Sequence, residues 1–275
     1  MRIAFVAVNY NNCWISTNYI SNIKSIHGYS KHDIEIVLVD NDSQVEDYTT
    51  LKKQVEDESG VTLVHSKKNL GYFGGLNYGI KTLENYELYD YIIASNNDLF
   101  FSRDFFDVLE KKFYENRQTV IVPDLETIAG IHQNPQFVNV PSTMRQFGYR
   151  MYYSCYPMAL LIDFLYKSKR KQRVEEKKKT DKQGKEIFMC TGAIMLFRPN
   201  FFRNCGLLDD SLFLWGEEVA LAHQLVEAND KMYYDPDLKV IHMESASVGK
   251  IASYSKFKIW QKSYKRYKDW YYDKK

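Results

Sequence analysis

The stretch IEIVLVDNDS (34–43) decides the fold class, because a mostly β-branched run leads directly into an acid and turn-forming residues. Such runs are typical of strands buried on both faces of a parallel sheet. Segments at about 13–26, 44–57 and 103–116 have helical character and alternate with the strands. The alternation predicts an α/β fold with a mostly parallel sheet covered by helices on both faces. The other strand-like segments are RIAFVAV (2–8), VTLVHS (61–66), YIIASNND (91–98) and VIVPD (120–124).

Polar residues follow three of these strands: NYNN (9–12), DNDS (40–43) and NND (96–98). Asn, Asp and Ser are ordinary turn formers, so each group alone is weak evidence of a site. Folds of this class bind ligands at the carboxyl ends of their strands, so we expect the three groups to converge on one crevice. Together they indicate a nucleotide site.

The alternation stops between about 125 and 186, which we interpret as an irregular insertion. It returns with FMCTGAIMLFRP (188–199), a predicted strand, and EEVALAHQLVEAND (217–230), a predicted helix. A short extended pair is predicted within KMYYDPDLKVIHME (231–244).

The tail, residues 250–275, carries aromatic residues at alternating steps of three and four. The spacing predicts an amphipathic helix with a single aromatic face. Such a face packs on its own domain or lies at a membrane interface, and the sequence leaves both readings open. The aromatic residues are Phe257, Trp260, Tyr264, Tyr267 and Tyr271.

Composition limits the class of protein. The 275 residues suffice for one large α/β domain, and the longest apolar run, PMALLIDFL (157–165), is too short to span a bilayer. The N-terminal apolar stretch is too short for a signal peptide. The four cysteines form no close pair, which favours reduced cytosolic thiols over a disulfide framework or a zinc site.

The net charge of +2 conceals two basic segments. Residues 167–185 contain ten basic and three acidic residues, and residues 250–275 contain nine and two, so each segment carries +7 and the remainder −12. Concentrated positive charge suggests contact with a polyanion such as phosphate, nucleic acid or an anionic membrane. A solvated loop and a solvated helix are the simpler explanation.

Seven segments follow one another along the chain: VAVNYNN, VLVDNDS, NLGYFGGLNYGI, SNNDLFF, CTGAIMLFRP, LDDSLFLWGEEVAL and VIHMESAS. Together they resemble family-2 glycosyltransferases of the GT-A fold, in the style of bacterial rhamnosyltransferase-like enzymes of polysaccharide assembly. The resemblance covers about 1–125 and 186–249, and the order and spacing of the segments are more specific than any one of them. It implies an inverting transfer of a sugar from a nucleotide-sugar to an acceptor hydroxyl.

The resemblance also implies donor-binding residues. Asp40 matches the family's acid that reads a pyrimidine base, which makes UDP- or dTDP-sugars the expected donors. The pair Gly74-Gly75 would allow close approach of a ligand, or would simply pack a helix on the sheet. Further matches to the donor pocket are Asn9, Asn41, Ser43, Asn69, Gly71, Gly75, Asn77, Thr191 and Gly192.

The triplet Asn96-Asn97-Asp98 stands where the family often has Asp-x-Asp. Asp98 keeps the metal-binding position, while Asn96 replaces the first acid and carries no charge. One carboxylate with diphosphate oxygens can hold Mn²⁺ or Mg²⁺. His242 matches a histidine that completes the metal shell in the family, although a lone histidine after a strand is often structural.

The resemblance places the general base in WGEEVAL (215–221). Glu218 matches the base and Glu217 precedes it, whereas Ala220 stands where the family has another acid. Two acids here would also favour a helix N-terminus through its dipole alone. Trp215 is a candidate for stacking on a sugar, or a core residue.

The expected organisation is one GT-A domain, 1–249, followed by the tail. Its donor half is about 1–125, its irregular acceptor-side insertion about 125–186, and its acceptor and base half about 187–249. Expected partners are the donor, a glycan or lipid-linked sugar acceptor and an anionic membrane surface. The protein is expected in the cytoplasm, peripheral on the inner face of the cell membrane, with a homodimer left open.

Three other classes of protein fit the sequence less well. A sugar nucleotidyltransferase needs a glycine-rich basic loop after the first strand, and VAVNYNNCW has neither glycine nor a basic residue. A dinucleotide oxidoreductase fails for lack of Gly-x-Gly-x-x-Gly. No nucleic-acid motif accompanies the basic segments. A catalytically inactive relative that binds nucleotide-sugar or glycan stays open, supported by Asn96 and Ala220.

Overall fold

A computed structural model describes residues 1–112, 118–166, 181–244 and 253–268. One mixed sheet forms the centre of the molecule, and helices cover both of its faces, which confirms the α/β class. The strands are β1 Arg2–Asn9, β2 Asp33–Asn41, β3 Val61–Ser66, β4 Tyr91–Asn96, β5 Leu99–Phe101, β6 Val120–Thr127, β7 Lys185–Ile187, β8 Ile194–Phe197 and β9 Met232–His242. The α-helices are α1 Cys13–Ser25, α2 Val45–Val55, α3 Tyr72–Ile80, α4 Phe105–Lys111, α5 Thr143–Tyr152, α6 Tyr156–Leu165, α7 Pro199–Cys205, α8 Glu217–Glu227 and α9 Ser253–Tyr267.

The sheet order is β3-β2-β1-β4-β8-β6-β9-β5, with β7 paired to β9. The strands β3, β2, β1 and β4 are parallel, as the sequence predicts. Beyond them β8 runs antiparallel to both β4 and β6, while β6 is parallel to β9. The parallel part therefore covers the first half of the sheet, and the second half is mixed.

Strand β1 explains why its sequence is apolar without interruption. Ile3 and Phe5 belong to the core on one face of the sheet, and Ala4 and Val6 belong to the core on the other. Successive side chains of a strand point to opposite faces, so a strand covered on both sides has no solvent-facing position. This burial holds the carboxyl end of β1 rigidly beside those of β2 and β4.

Several elements differ from their predicted bounds. The strand within 188–199 is confined to Ile194–Phe197, and the helix within 103–116 to Phe105–Lys111. Residues 231–244 form the single strand β9, whose register against β6 shifts beside Pro123. The region 125–186 contains α5 and α6, and the short strand β5 has no counterpart in the sequence analysis.

The tail forms the predicted helix α9, and its aromatic face packs on its own domain. Phe257, Tyr264 and Tyr267 are buried, and Tyr264 stacks on Tyr153 of the loop after α5. Tyr271 and most of the first basic segment lie outside the described residues. In the part of the chain that the structure describes, no helix has the length and apolarity needed to cross a membrane. Each of the four cysteines is a free thiol.

Candidate active site

The carboxyl ends of β1 and β2 form a polar network around Asp40. Asn9 donates from Nδ2 to Asp40 Oδ2 at 3.0 Å and to Asp47 Oδ1 at 3.0 Å, while His65 Nδ1 lies 3.0 Å from Asp40 Oδ1. The backbone N–H of Ser43 also points to Asp40 Oδ1, at 3.3 Å. Asp40 is completely buried, so in this conformation its carboxylate shapes the pocket wall. The sequence prediction that Asp40, Asn9 and Ser43 lie together agrees with this geometry.

The partly exposed ring pair next to Asp40 was missed by sequence analysis. The rings of Tyr48 and His65 lie with centroids 4.2 Å apart at an angle of 33°, and His65 contacts the Asp40 carboxylate. Aromatic faces of this kind suit the stacking of a planar base. No local sequence signal marks the pair, because Tyr48 comes from α2 and His65 from β3.

The residues that the resemblance assigns to donor binding around the start of α3 make hydrogen bonds to other parts of the protein. Asn41 donates from Nδ2 to Asn69 Oδ1 at 3.2 Å and to the Gly71 carbonyl at 3.0 Å. Asn77 is buried and exchanges hydrogen bonds with the backbone of Leu208, which binds α3 to the segment before α8. The structure therefore places Asn77 in an internal contact, away from the polar network around Asp40.

Gly71 and Gly75 also lie against neighbouring protein atoms and do not face open space. A Cβ on Gly71 would lie 2.2 Å from the carbonyl oxygen of Phe213, and Gly71 has a φ of +75°. A Cβ on Gly75 would lie 2.9 Å from a methyl group of Val8. The packing interpretation of these glycines is the one that the contacts support.

Asn97 and Asp98 have separate roles at the end of β4. Asn97 donates from Nδ2 to Ser16 Oγ at 2.8 Å, and Ser16 donates in turn to Asn9, which joins Asn97 to the Asp40 network. Asn96 sits at the last position of β4, where its backbone N–H bonds to Ala193. Asp98 lies next in the chain to β5, which pairs with β9.

The pairing of β5 with β9 brings Asp98 and His242 together. The Nε2 atom of His242 lies 3.3 Å from Asp98 Oδ1, and His242 Nδ1 lies 2.8 Å from Gln133 Oε1. Gln133 accepts a hydrogen from Nδ1, so in the neutral ring the lone pair of Nε2 faces the carboxylate. Two ligands of one octahedral ion at ~2.1 Å lie about 3 Å apart when they are adjacent. The pair fits a divalent cation.

No cluster of three or more His, Cys, Asp or Glu suited to a metal occurs among residues 1–112, 118–166, 181–244 and 253–268. Asp98 and His242 would supply two protein ligands to such an ion, and its other positions would be left to ligand oxygens and water. Mg²⁺ and similar ions are often held in this way, through few carboxylates and substrate phosphates.

The turn before α8 directs two glutamates into the protein. Trp215 and Gly216 both have positive φ, +62° and +103°, and the helix begins at Glu217. Burial, followed by the nearby Glu218, raises the pKa of Glu217 to about 8. Burial also raises the pKa of Glu218, against the opposing effect of backbone N–H groups and of a hydrogen bond from Gln136. In its ionised form, Glu218 is a suitable general base.

Among the other predicted site residues, Gly192 lies close to Glu218. A Cβ on Gly192 would lie 3.9 Å from Glu218 Oε2, and Thr191 precedes Gly192. Trp215 stacks on Trp260 of α9, with centroids 5.7 Å apart and an angle of 8°, so one of its faces is covered by protein. Ala220, at the position of the family's third acid, is completely buried in the core. An acid there would need a hydrogen-bonding partner that the apolar core does not offer.

Tyr72 begins α3, and its hydroxyl is buried without a hydrogen-bond partner among the described residues. Burial raises its pKa well above the ordinary value, and the charges of Glu217 and Asp98 act in the same direction. Sequence analysis did not single out Tyr72, which follows Gly71 in NLGYFGG.

Known structures share this fold at low sequence identity. The structure described as GalNAc-T7 with UDP, GalNAc and Mn²⁺ has a TM-score of 0.62 and 17% identity, over 88% of this chain and 44% of that one. The mannosyltransferase PcManGT from Pyrobaculum calidifontis, in complex with GDP-Man and Mn²⁺, has a TM-score of 0.54 and 12% identity, over 90% and 58%. S. aureus TarS 1–349 has a TM-score of 0.53 and 11% identity, over 97% and 72%.

The chain spans less than half of the first of these structures, and the likeness concerns the GT-A fold alone. No curated protein matches the sequence significantly. The family model described as glycosyl transferase family 2 matches residues 8–206, which is more than two thirds of the chain and includes the carboxyl end of β1, the strands β2 to β4 and the Asn96-Asn97-Asp98 triplet. This chain therefore belongs to glycosyl transferase family 2.

Proposed function

We propose that the protein is an inverting glycosyltransferase that moves a hexosyl or rhamnosyl group from UDP- or dTDP-sugar to a hydroxyl of a glycan or lipid-linked sugar. The proposal places the reaction in polysaccharide assembly. The observation that carries it is the pairing of Asp98 with His242 at 3.3 Å, in a chain whose Glu218 lines a cavity of about 180 Å³. Asp98 and His242 offer a site for a diphosphate leaving group, and Glu218 offers a base for the acceptor.

Asp98 and His242 are the residues that would hold Mn²⁺ or Mg²⁺. The ion supplies Lewis-acid stabilisation of the charge that develops on the diphosphate. Gln133 orients His242 through Nδ1, as second-shell partners of metal-binding histidines commonly do. Asn96 adds no charge, so affinity for the free ion is expected to be weak and to rise with bound nucleotide.

Glu218 would act on the acceptor. As the acceptor oxygen bonds to C1 of the donor sugar, its proton passes to the Glu218 carboxylate, and the bond from C1 to the diphosphate breaks with its electron pair on the diphosphate oxygen. One displacement inverts the configuration at C1. Glu217, whose pKa is about 8, stays mostly protonated near neutral pH and so adds little negative charge beside Glu218.

The nucleoside is assigned to the carboxyl ends of β1 and β2, within the donor half at about 1–125. Asp40, Asn9 and Ser43 form the polar wall, and Tyr48 and His65 offer rings beside it. Residues 187–249 supply the base. The insertion at about 125–186 contributes Gln133, which contacts His242, and Gln136, which contacts Glu218. A pyrimidine nucleotide is the expected ligand of this pocket.

Isothermal titration with UDP, dTDP and GDP, each with and without Mn²⁺, tests the proposal. We expect one pyrimidine nucleotide to bind, and its affinity to fall at least ten-fold without Mn²⁺ or in Asp98→Asn. The exposed Asp57→Asn serves as a matched control and should bind like the native protein. Absence of binding by all three nucleotides would contradict the proposal, and metal-independent binding would remove the metal from it.

A second candidate is a catalytically inactive relative that binds nucleotide-sugar, favoured by Asn96 in place of an acid. The Glu218→Gln variant distinguishes the two. An enzyme should lose transfer by about 10²–10⁴-fold while nucleotide affinity stays unchanged. Equal, trace product from both proteins would favour the inactive relative.

We also propose that the protein acts in the cytoplasm, peripherally on an anionic membrane. The aromatic face of α9 packs inward, so the exposed apolar surface lies elsewhere, on α6. Four apolar side chains of α6 are at least half exposed: Leu160, Leu161, Phe164 and Leu165. Tyr156 of α6 contacts Phe257 of α9, whose exposed residues include Lys258, Lys262, Lys265 and Arg266. Apolar and basic groups side by side suit an anionic lipid surface better than a neutral one.

A further inference from the structure

A cavity of about 180 Å³ lies beside Glu218. The walls come from α5, from the first turn of α8 and from α9. Helix α9 begins at Ser253, beyond the residues that match the family model, so the family match assigns no role to this wall. The cavity is smaller than the ~300–1,000 Å³ typical of drug-sized ligand pockets, which suits a single ring.

The walls are aromatic, with polar atoms in a few places. Tyr149, Tyr153, Trp260 and Tyr264 contribute rings, and Tyr153 and Tyr264 stack with centroids 4.7 Å apart. A pyranose ring has faces of C–H groups and a rim of hydroxyls, so it places apolar faces on aromatic rings while its hydroxyls reach polar atoms. The aromatic rings of the walls suit the C–H faces of such a ring, and the polar atoms of the walls suit its hydroxyls.

Gln136 links the cavity to the base. Its amide hydrogen-bonds to Glu218, and its backbone N–H bonds to the carbonyl of Met189, which holds the residue in place. Its Oε1 atom is buried and has no hydrogen-bond partner in the part of the chain that the structure describes. An acceptor atom buried without a donor costs free energy unless a ligand supplies one. A ligand hydroxyl would supply it.

We propose that this cavity binds the terminal sugar residue of the acceptor, an uncharged pyranose, with one hydroxyl on Glu218 and a neighbouring hydroxyl on Gln136 Oε1. The charged residues that line the cavity are Glu218 and Lys268, and the carboxylate of Glu218 disfavours an anionic group at the end of the sugar that it contacts. Gln136 is a positioning residue, since it orients the carboxylate of Glu218 and reads a hydroxyl that does not react. The inference rests on the proposed transferase function and names its acceptor class.

The test uses the full chain, the donor nucleotide-sugar and a panel of methyl glycosides of glucose, galactose, mannose, rhamnose and N-acetylglucosamine. Transfer is followed by mass spectrometry, and glycoside binding by saturation-transfer NMR. We expect at least one glycoside to bind and accept sugar. Gln136→Leu should raise the acceptor KM at least ten-fold and shift the acid limb of the pH profile upward, because Glu218 loses a hydrogen bond that lowers its pKa.

Tyr149→Leu, which removes one ring from the wall of the cavity, should also raise the acceptor KM. The exposed Gln54→Leu in α2 is the matched control and should change neither KM nor pH profile. Nucleotide affinity should stay within two-fold of native in all three variants. Unchanged acceptor KM in both cavity variants would overturn the inference, as would displacement of the glycosides by a short-chain alkyl phosphate that does not accept sugar. If the native protein bound no nucleotide, the proposed function itself would be wrong.

Discussion

Glu217 and Glu218 are adjacent and chemically equal, yet the first turn of α8 places them in different surroundings. Glu218 borders the cavity and accepts a hydrogen bond from Gln136, whereas Glu217 is buried with a pKa of about 8. Burial raises the pKa of both acids, and the charge of Glu218 adds to the shift of Glu217. The two acids therefore share one turn, but only Glu218 lines the cavity.

Replacing Glu217 by Gln should make the protein more stable at alkaline pH. The folded-state pKa is raised, so the folded protein retains a proton that the unfolded chain releases, and stability falls as pH rises from about 4.5 to about 8. Glu217→Gln removes that fall, worth on the order of 3–5 kcal/mol. Urea unfolding at pH 5 and pH 9 measures it. Parallel stability curves for both proteins would contradict the raised pKa.

Gln133 tests the proposed metal pair without relying on activity. Gln133→Leu removes the acceptor of His242 Nδ1 and frees the ring to adopt the other tautomer. Mn²⁺ affinity in the presence of nucleotide should fall about 10–100-fold. Electron paramagnetic resonance of free Mn²⁺ measures it, with the exposed Gln54→Leu as control. An unchanged affinity would leave His242 outside the metal site.

Helix α3 packs unusually close to the sheet, which is an element-scale property. A Cβ on Gly79 would lie 2.7 Å from a methyl group of Val6 and 2.8 Å from one of Val39, while Gly75 meets Val8 in the same way. The two glycines are four residues apart and so lie on one helix face. Their lack of a side chain holds α3 against β1 and β2, directly below the proposed nucleotide pocket.

Gly79→Ala should therefore destabilise the protein by about 1–3 kcal/mol, because the new methyl group overpacks the interface by more than helix propensity gains. Gly148→Ala in α5 is the matched control: nothing lies within 4 Å of its Cβ position. It should stabilise by about 0.5–1 kcal/mol, as Ala does in an open helix position. Urea midpoints of the two variants give the comparison. Equal shifts of the urea midpoint in the same direction for both variants would show that packing does not determine the effect of Gly79→Ala.

The elements that local patterns predicted well are those whose burial is uniform. Strands β1 to β4 and helix α9 agree with prediction because a continuous apolar run or a three-four aromatic spacing reports burial directly. The segment 188–199 was overextended, since Thr191 and Gly192 turn at the site and only Ile194–Phe197 enters the sheet. Helices α5 and α6 were also missed, and in α6 the exposed apolar residues Leu160, Leu161, Phe164 and Leu165 blur the amphipathic pattern.

The distribution of charge and apolar surface belongs to the whole molecule. Phe164 is 74% exposed on α6, and Met144 on α5, which packs against α6, is 84% exposed. The sequence continues from α6 into the basic segment 167–185, and α9 exposes further basic residues. An apolar surface of this kind on a folded domain commonly marks an interaction site.

Sedimentation with vesicles checks the proposed membrane contact. We expect binding to vesicles containing anionic lipid, weaker binding at high salt, and loss of binding in the double variant Leu161→Glu with Phe164→Glu. Leu88→Glu is the control, because Leu88 is an exposed leucine that is distant from α6 in the sequence. Absence of vesicle binding at low salt would exclude the membrane. A change of elution volume on gel filtration in the α6 variant would then assign this surface to a second copy of the chain.

The sequence by itself determined the α/β class, the parallel half of the sheet and the strand ends that carry Asn9, Asp40 and Asp98. These follow from local chemistry, since burial on both faces requires continuous apolar runs and the polar residues come where the runs end. Only the tertiary structure decided that His242 meets Asp98, that Gln136 reaches Glu218 and that α9 closes a cavity beside the base. Those contacts join residues distant in the chain. They depend on which strands pair and which apolar faces cover each other, and no local pattern encodes that choice.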